Sequence, residues 1–164
     1  MHTILLTDKE LHSDAREKFI VESVSSYNRT CYVSIDDPYH IVVEILKKAN
    51  VETEKFIIID ASGNIKEPES ISRETYVLPA ADLFEIHLIL KNLIKDEKIE
   101  LLFLDSLSAL IDNYEGLPLK ETLTNILLEI GSLRCSSILV VFNYHANHEV
   151  VSHLSPMIGR RHIF

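Results

Sequence analysis

Apolar and polar residues alternate along this chain in blocks whose lengths match those of strands and helices. Five short runs are largely apolar and rich in Ile, Val, Leu and Phe, at residues 3–6, 31–35, 56–59, 101–104 and 138–142. Strands that are covered by helices on both sides are apolar on both faces, so these runs predict the strands of a buried parallel sheet.

Between these runs, apolar residues recur with the spacing of amphipathic helices. The helical stripes lie within residues 15–27, 38–46, 83–94 and 119–133, and Pro38 suits the start of the second helix. Five strands joined by four helix-containing crossovers predict a layered α/β fold with right-handed connections. The longest predicted loop, at residues 62–81, is the best candidate for a mobile flap.

The length and composition are those of one globular domain over residues 1–164. The chain is 46% hydrophobic and 25% charged, which is enough apolar material for a core. It has no uncharged apolar run of about 18 residues, and Asp8 and Glu10 directly follow the first apolar run. We therefore expect no membrane span, no signal peptide and a cytoplasmic location, with Cys31 and Cys135 buried and reduced.

The formal net charge of −9 argues against a nucleic-acid partner. Phosphate contacts supply most of the affinity of such complexes and require a basic face. The one basic cluster, Arg160, Arg161 and His162, is too short to provide that face.

Polar residues follow the predicted strands at the points where ligands bind in open parallel sheets. They are acidic more often than chance suggests. They are Asp36 and Asp37 after the second run, Asp60 after the third, Asp105 and Ser106 after the fourth, and Asn143, Tyr144 and His145 after the fifth.

Four stretches resemble elements of the RecA-like and KaiC-like ATPases. "IELLFLDSLSALI" resembles the Walker B strand, and "CYVSIDDPYHIVVEILKKANV" is similar to the second-strand region, whose end carries an acidic pair. "FIIIDASG" and "SSILVVFNYH" resemble the third strand and the sensor strand. The resemblance covers residues 4–143 and implies a three-layer RecA-like domain with a mostly parallel central sheet of about five or six strands.

This resemblance implies roles for five residues. Asp105 matches the carboxylate that holds magnesium, and Ser106 is its neighbour at the nucleotide. Asp36 and Asp37 match the acidic pair that polarises the attacking water, and Asn143 lies where the family has a polar sensor residue.

The family's strand order also implies that Asp36, Asp60 and Asp105 end three neighbouring strands. Adjacent strands lie about 4.8 Å apart, so these carboxylates could hold a divalent cation with weak affinity. The alternative is that the side chains cap the following helices or extend into solvent. We expect no other cofactor.

One element of the family is absent from the sequence. A phosphate-binding loop needs glycines at positive φ and a Lys followed by Ser or Thr at the start of the next helix. The chain has four glycines, the first of which is Gly63, so the turn after the first strand cannot form this loop. Asp14 or Ser13 is instead predicted to cap the first helix, and both Asp8 and Glu10 disfavour an anion there.

These features predict a catalytically inactive RecA/KaiC-like domain that acts as a regulatory or assembly module. The expected partner is a protein, either a second copy or an ATP-competent relative. The apolar tail residues Met157, Ile158, Ile163 and Phe164 are candidates for the contact. The alternative is a nucleotide-binding ATPase-type enzyme with a non-standard or composite site.

Three other interpretations are weaker. His145, His148 and His153 lie near one another, but their spacing matches no zinc signature. A response-regulator receiver would need its acidic pair after the first strand and a Lys after the fifth. Here, the acidic pair follows the second run, and no Lys follows the fifth. Ser106 lacks the flanking glycines of a hydrolase nucleophile and is better explained as a turn residue.

Overall fold

The computed structural model describes residues 1–24, 26–63, 75–78, 82–114 and 117–164, without the side chain of Leu117. Most of the predicted flap, residues 64–74 and 79–81, lies outside this part of the chain. The strands are β1 (His2–Thr7), β2 (Thr30–Ser34), β3 (Phe56–Asp60), β4 (Thr75–Val77), β5 (Leu101–Asp105), β6 (Ser136–Phe142) and β7 (Arg160–Ile163).

The helices fill the connections between these strands. They are α1 (His12–Val24), α2 (Tyr39–Lys48), α3 (Leu83–Asp96), α4 (Leu107–Asn113), α5 (Leu117–Ser132) and α6 (Glu149–Leu154). Single 3₁₀ turns lie at Thr53–Lys55, Asn143–His145 and Ser155–Met157.

All seven strands form one sheet in the order β4-β3-β2-β5-β6-β1-β7, and every pairing is parallel. Ser34 lies beside Asp60 on one side and beside Asp105 on the other. The carboxyl ends of β3, β2 and β5 therefore lie side by side at the same end of the sheet, as the resemblance implied.

Helices cover both faces of the sheet and make the fold three layers deep. Phe19 and Ile20 of α1 and Val42 and Leu46 of α2 pack on one face. The apolar sides of α3, α4, α5 and α6 pack on the other face. Consecutive strand residues alternate between the two cores, which is why the central strands are apolar throughout.

The predicted α/β class and all five predicted strands are confirmed. The sheet has two more strands than the apolar runs indicated. The three residues of β4 are only partly buried or exposed, and all four residues of β7 are exposed, so neither shows the pattern of a central strand. The short helices α4 and α6 were not predicted either.

The described helices include none that is long and apolar enough to cross a membrane. Both cysteines are free and buried, as expected. Burial raises the pKa of the Cys135 thiol to about 11, with a smaller opposing effect from a backbone hydrogen bond at Leu102. Burial also raises the pKa of the Cys31 thiol. Both side chains therefore behave as small core residues.

Candidate functional site

Asp105 ends β5 and lies at the centre of a buried group of polar side chains, with 2% of its surface exposed. Its Oδ1 lies 2.7 Å from Nε2 of His12, and its Oδ2 lies 2.7 Å from Nη1 of Arg16. The hydroxyl of Tyr32 donates a hydrogen bond to the same Oδ2. Nη1 of Arg16 also donates to Oδ2 of Asp37 at 2.6 Å. We call these five residues the Asp105 cluster.

The local structure explains how the Asp105 cluster forms. His12 and Arg16 are four residues apart in the first turns of α1, so their side chains lie on the same helix face. Tyr32 and Asp105 lie on adjacent strands, and the β2–β5 register places Ser34 beside Asp105. Side chains two residues apart share a sheet face, so Tyr32 and Asp105 both face α1.

Burial and charge act against each other in the Asp105 cluster. Burial favours the neutral form of Asp105, but hydrogen bonding and charge from His12 and Arg16 outweigh it and lower its pKa to about 2. Burial alone would lower the pKa of Arg16, yet the carboxylate of Asp105 raises it. Burial and the same carboxylate raise the pKa of Tyr32. At neutral pH, the cluster therefore contains a paired carboxylate and guanidinium and a neutral phenol.

Asp36 is not part of the Asp105 cluster, and its side chain has a different hydrogen-bond partner. Burial, together with the negative charges of Asp105 and Asp37, raises its pKa, and a hydrogen bond from Ser106 opposes the shift. The Oγ of Ser106 donates to Oδ2 of Asp36 at 3.3 Å and accepts a hydrogen bond from the backbone N–H of Ala109 at 3.1 Å. Ser106 is thus the N-cap of α4, and the peptide bond that joins it to Asp105 is cis.

Asp60 has a structural role at the start of α2. Its Oδ2 accepts a hydrogen bond from the backbone N–H of Tyr39 at 2.7 Å. Its Oδ1 accepts hydrogen bonds from the backbone N–H and the hydroxyl of Ser62, at 3.0 and 2.7 Å. Both carboxylate oxygens are therefore engaged by neighbouring protein groups.

The predicted cation site remains a prediction. Asp36, Asp60 and Asp105 end neighbouring strands, but Asp105 and Asp60 are bound to different protein groups. Within the described ranges, no group of three or more His, Cys, Asp or Glu side chains is arranged to hold a metal ion.

The turn between β1 and α1 occupies the position where a phosphate-binding loop would lie. The backbone N–H of Leu11 donates to the carbonyl of Asp8 at 3.1 Å, and that of His12 donates to the carbonyl of Lys9 at 3.3 Å. The predicted caps Ser13 and Asp14 lie inside the first turn, because α1 begins at His12.

Asn143, the predicted sensor residue, is exposed at the end of β6. Its Nδ2 donates to Oδ1 of Asp8 at 2.7 Å and so connects the end of β6 to the turn after β1. The three histidines considered for a zinc site have different polar partners, although the rings of His145 and His148 pack with centroids 5.4 Å apart. His145 lies 3.3 Å from Asp112, His148 caps α6, and His153 lies 3.1 Å from Thr124.

His12, Arg16 and Tyr32 are the site residues that the sequence did not reveal. The sequence feature that could have revealed this site is Arg16, a charged residue between Ala15 and Phe19 on the buried stripe of α1. A buried Arg requires a carboxylate partner, and the strand ends supplied several candidates.

No family model matches the sequence, and no curated relative matches it. Solved structures do match the fold. The KaiC-like protein PH0186 from Pyrococcus horikoshii OT3 superposes with a TM-score of 0.58 at 15% identity, over 85% of this chain and 62% of that one. The chain has a RecA/KaiC-like fold. It spans only 62% of the length of PH0186.

A second solved structure matches over more of both chains. It is the uncharacterized protein PH0321 from Pyrococcus horikoshii, solved in complex with an unknown peptide. The TM-score is 0.66 at 13% identity, over 95% of this chain and 74% of that one. At these identities the likeness concerns the fold alone.

Proposed function

We propose that this chain is a catalytically inactive RecA/KaiC-like domain that acts as a regulatory or assembly module for a protein partner. The observation that carries the proposal is the state of the Asp105 carboxylate. His12 contacts one oxygen, and Arg16 and Tyr32 contact the other, inside the fold. These bonds occupy the group that would have to bind magnesium.

A magnesium ion at Asp105 would have to displace His12 from one carboxylate oxygen, or Arg16 and Tyr32 from the other. Removing one partner from a buried ion pair costs about 3–5 kcal/mol, because the other charge is left uncompensated. Asp37 also binds Arg16, so displacement of Arg16 would disturb a second carboxylate. This cost favours an inactive site over the alternative of an ATPase-type enzyme.

The β1–α1 turn supports the same proposal. Phosphate binding needs free backbone N–H groups that point at the phosphate. These groups lie at the N-terminus of a helix, where the helix dipole favours a negative charge. Here, two N–H groups of the turn already donate to the carbonyls of Asp8 and Lys9, and the side chain of Asp8 binds Asn143. Positioning of the phosphates supplies most of the catalysis in phosphoryl transfer, so we expect no hydrolysis.

Thermal unfolding and an ATPase assay test inactivity together. Binding at a hundredfold excess of MgATP over its dissociation constant would stabilise the fold by about 2.7 kcal/mol, and we expect no such shift. We also expect no phosphate release above buffer. Turnover that Asp105→Asn abolishes and Asp112→Asn leaves intact would overturn the proposal. Asp112 is the matched control because it is an exposed carboxylate that contacts His145.

The proposed assembly surface is the open side of β7. Three of the four apolar tail residues pack inward, since Met157 and Ile158 contact one core and Phe164 contacts the other. Ile163 is 77% exposed on a strand that pairs only with β1 among the described strands. Exposed edge strands pair readily with another chain. The peptide held by PH0321 is consistent with an interaction role for this fold.

Light scattering over a range of concentrations tests assembly. We expect the wild-type protein to self-associate and Ile163→Glu to weaken that association. Leu128→Glu is the control, because Leu128 is an exposed apolar residue of α5, 59% accessible. A strict monomer whose truncation after Met157 merely unfolds the domain would show that the tail is core and that the proposal is wrong.

A further inference from the structure

A cavity of about 290 Å³ lies at the opposite end of the sheet from the Asp105 cluster. Its floor is formed by the first residues of β1, β5 and β6, including Thr3 and Ser136. The last turns of α1 and the residues after it form one wall, and β7 forms another. The cavity therefore lies between a helix and the open edge of the sheet.

The β7 wall is basic. Arg160 and His162 both line the cavity, because residues two apart on a strand share a face. The ring of His162 packs against the ring of Phe19 on α1, with centroids 5.1 Å apart. Arg161, between them, faces the other way and donates to Oγ of Ser155 at 2.8 Å. Within the described part of the chain, no ion pair engages Arg160.

The other walls supply hydroxyl groups. Ser23 and Ser26 come from the α1 side, Ser136 comes from β6, and Tyr27 contributes a half-buried phenol. Glu22 is the one carboxylate among the described lining residues. A chain with a net charge of −9 thus has a cavity in which a guanidinium, an imidazole and several hydroxyls face one space.

We propose that this cavity binds a small organic phosphate. A guanidinium presents paired N–H donors that match a phosphate group, and serine hydroxyls can donate to the remaining oxygens or to a sugar. Ligand cavities usually measure about 300–1,000 Å³, and this one, at about 290 Å³, lies at the lower limit, which suits a ligand of the size of a sugar phosphate. This site is separate from the Asp105 cluster and does not depend on the function proposed above.

An NMR titration of the full chain tests the proposal, with ribose 5-phosphate as the probe. We expect saturable shifts of the backbone amides of Ser23, Ser136 and Arg160 and no comparable shifts around Asp36 and Asp105. Inorganic phosphate should bind more weakly, because it leaves the hydroxyl donors of the cavity without a sugar to contact. Equal affinity for the two probes would contradict an organic-ligand site.

Paired variants make the test specific. Arg160→Ala should weaken ribose 5-phosphate binding at least about tenfold, since a charge-assisted pair is lost. Arg161→Ala removes the same charge from the opposite face and should change affinity by less than about twofold. Ser23→Phe, which fills the cavity without altering charge, should also abolish binding. The proposal is overturned if Arg161→Ala weakens binding as much as Arg160→Ala, or if ribose 5-phosphate produces no saturable shifts.

Discussion

The carboxyl ends of the central strands and the open edge at β7 both carry charged residues, but those charges have different surroundings. Arg16 is 4% exposed and contacts two carboxylates within the fold. Arg160 is exposed and forms no ion pair with a carboxylate among the described residues. Removal of a charge of the first kind leaves its partner buried and uncompensated, whereas charges of the second kind remain available for contacts with other molecules.

Loss of Arg16 should produce the largest effect. Arg16→Met leaves Asp105 buried without its cation, so we expect the free energy of unfolding to fall by about 3–5 kcal/mol. Urea denaturation measures this change. Arg161→Met is the matched control at the open edge and should cost less than about 1 kcal/mol. Similar losses in the two variants would remove the distinction between the two regions.

Acid should produce the second-largest effect, because it weakens the interactions of the Asp105 cluster. The folded pKa of Asp105, about 2, lies below its ordinary value, so this carboxylate stabilises the fold fully above the unfolded pKa. That contribution, about 2.5 kcal/mol, disappears as the pH falls from about 5 through 2. Carbon-13 titration of the Asp105 carboxyl group should give a midpoint well below that of an ordinary aspartate. A midpoint near 4 would contradict the charge balance described for the cluster.

Tyr32→Phe should have a smaller effect. The substitution removes one buried hydrogen bond to a charged acceptor, and we expect a loss of about 2 kcal/mol in the free energy of unfolding. Tyr144→Phe is the control, because Tyr144 is 58% exposed and its hydroxyl lies 3.4 Å from Asp112. That control should lie within about 0.5 kcal/mol of wild type. If the two substitutions are equally costly, the phenol of Tyr32 contributes nothing specific to the cluster.

Ile163→Asn should have the smallest effect on stability. Ile163 is 77% exposed, so the polar side chain loses little packing in the monomer. We expect the free energy of unfolding to change by less than about 0.5 kcal/mol at a concentration where the protein is monomeric. A large loss would show that the open edge is part of the domain's own core.

Most of the central sheet could be predicted from sequence, because β2, β3, β5 and β6 are buried on both faces and carry continuous apolar runs. The apolar pattern does not reveal the outer strand β7. Its first three residues are Arg160, Arg161 and His162, which lie at the open edge where polar side chains reach solvent. Its strand conformation is determined by pairing with β1, a long-range contact that local composition does not encode.

The candidate site was predictable only in part. The resemblance placed Asp36, Asp60 and Asp105 at the ends of neighbouring strands, and the sheet order agrees. The partners of these carboxylates depend on how closely α1 and α2 approach the sheet. Arg16 reaches Asp105 and Asp37 from α1, and the backbone of Tyr39 reaches Asp60 from α2. These approaches arise from tertiary packing, which the spacing of residues along the chain does not specify.

The position of β1 in the sheet has a consequence for biosynthesis. Residues 2–7 pair with 137–142 and with 160–163, so both neighbours of the first strand are translated late. By contrast, β2, β3 and β5 lie within residues 30–105 and can associate earlier. Because β1 is synthesised before both strands that pair with it, we expect its docking to be a late folding step that competes with aggregation.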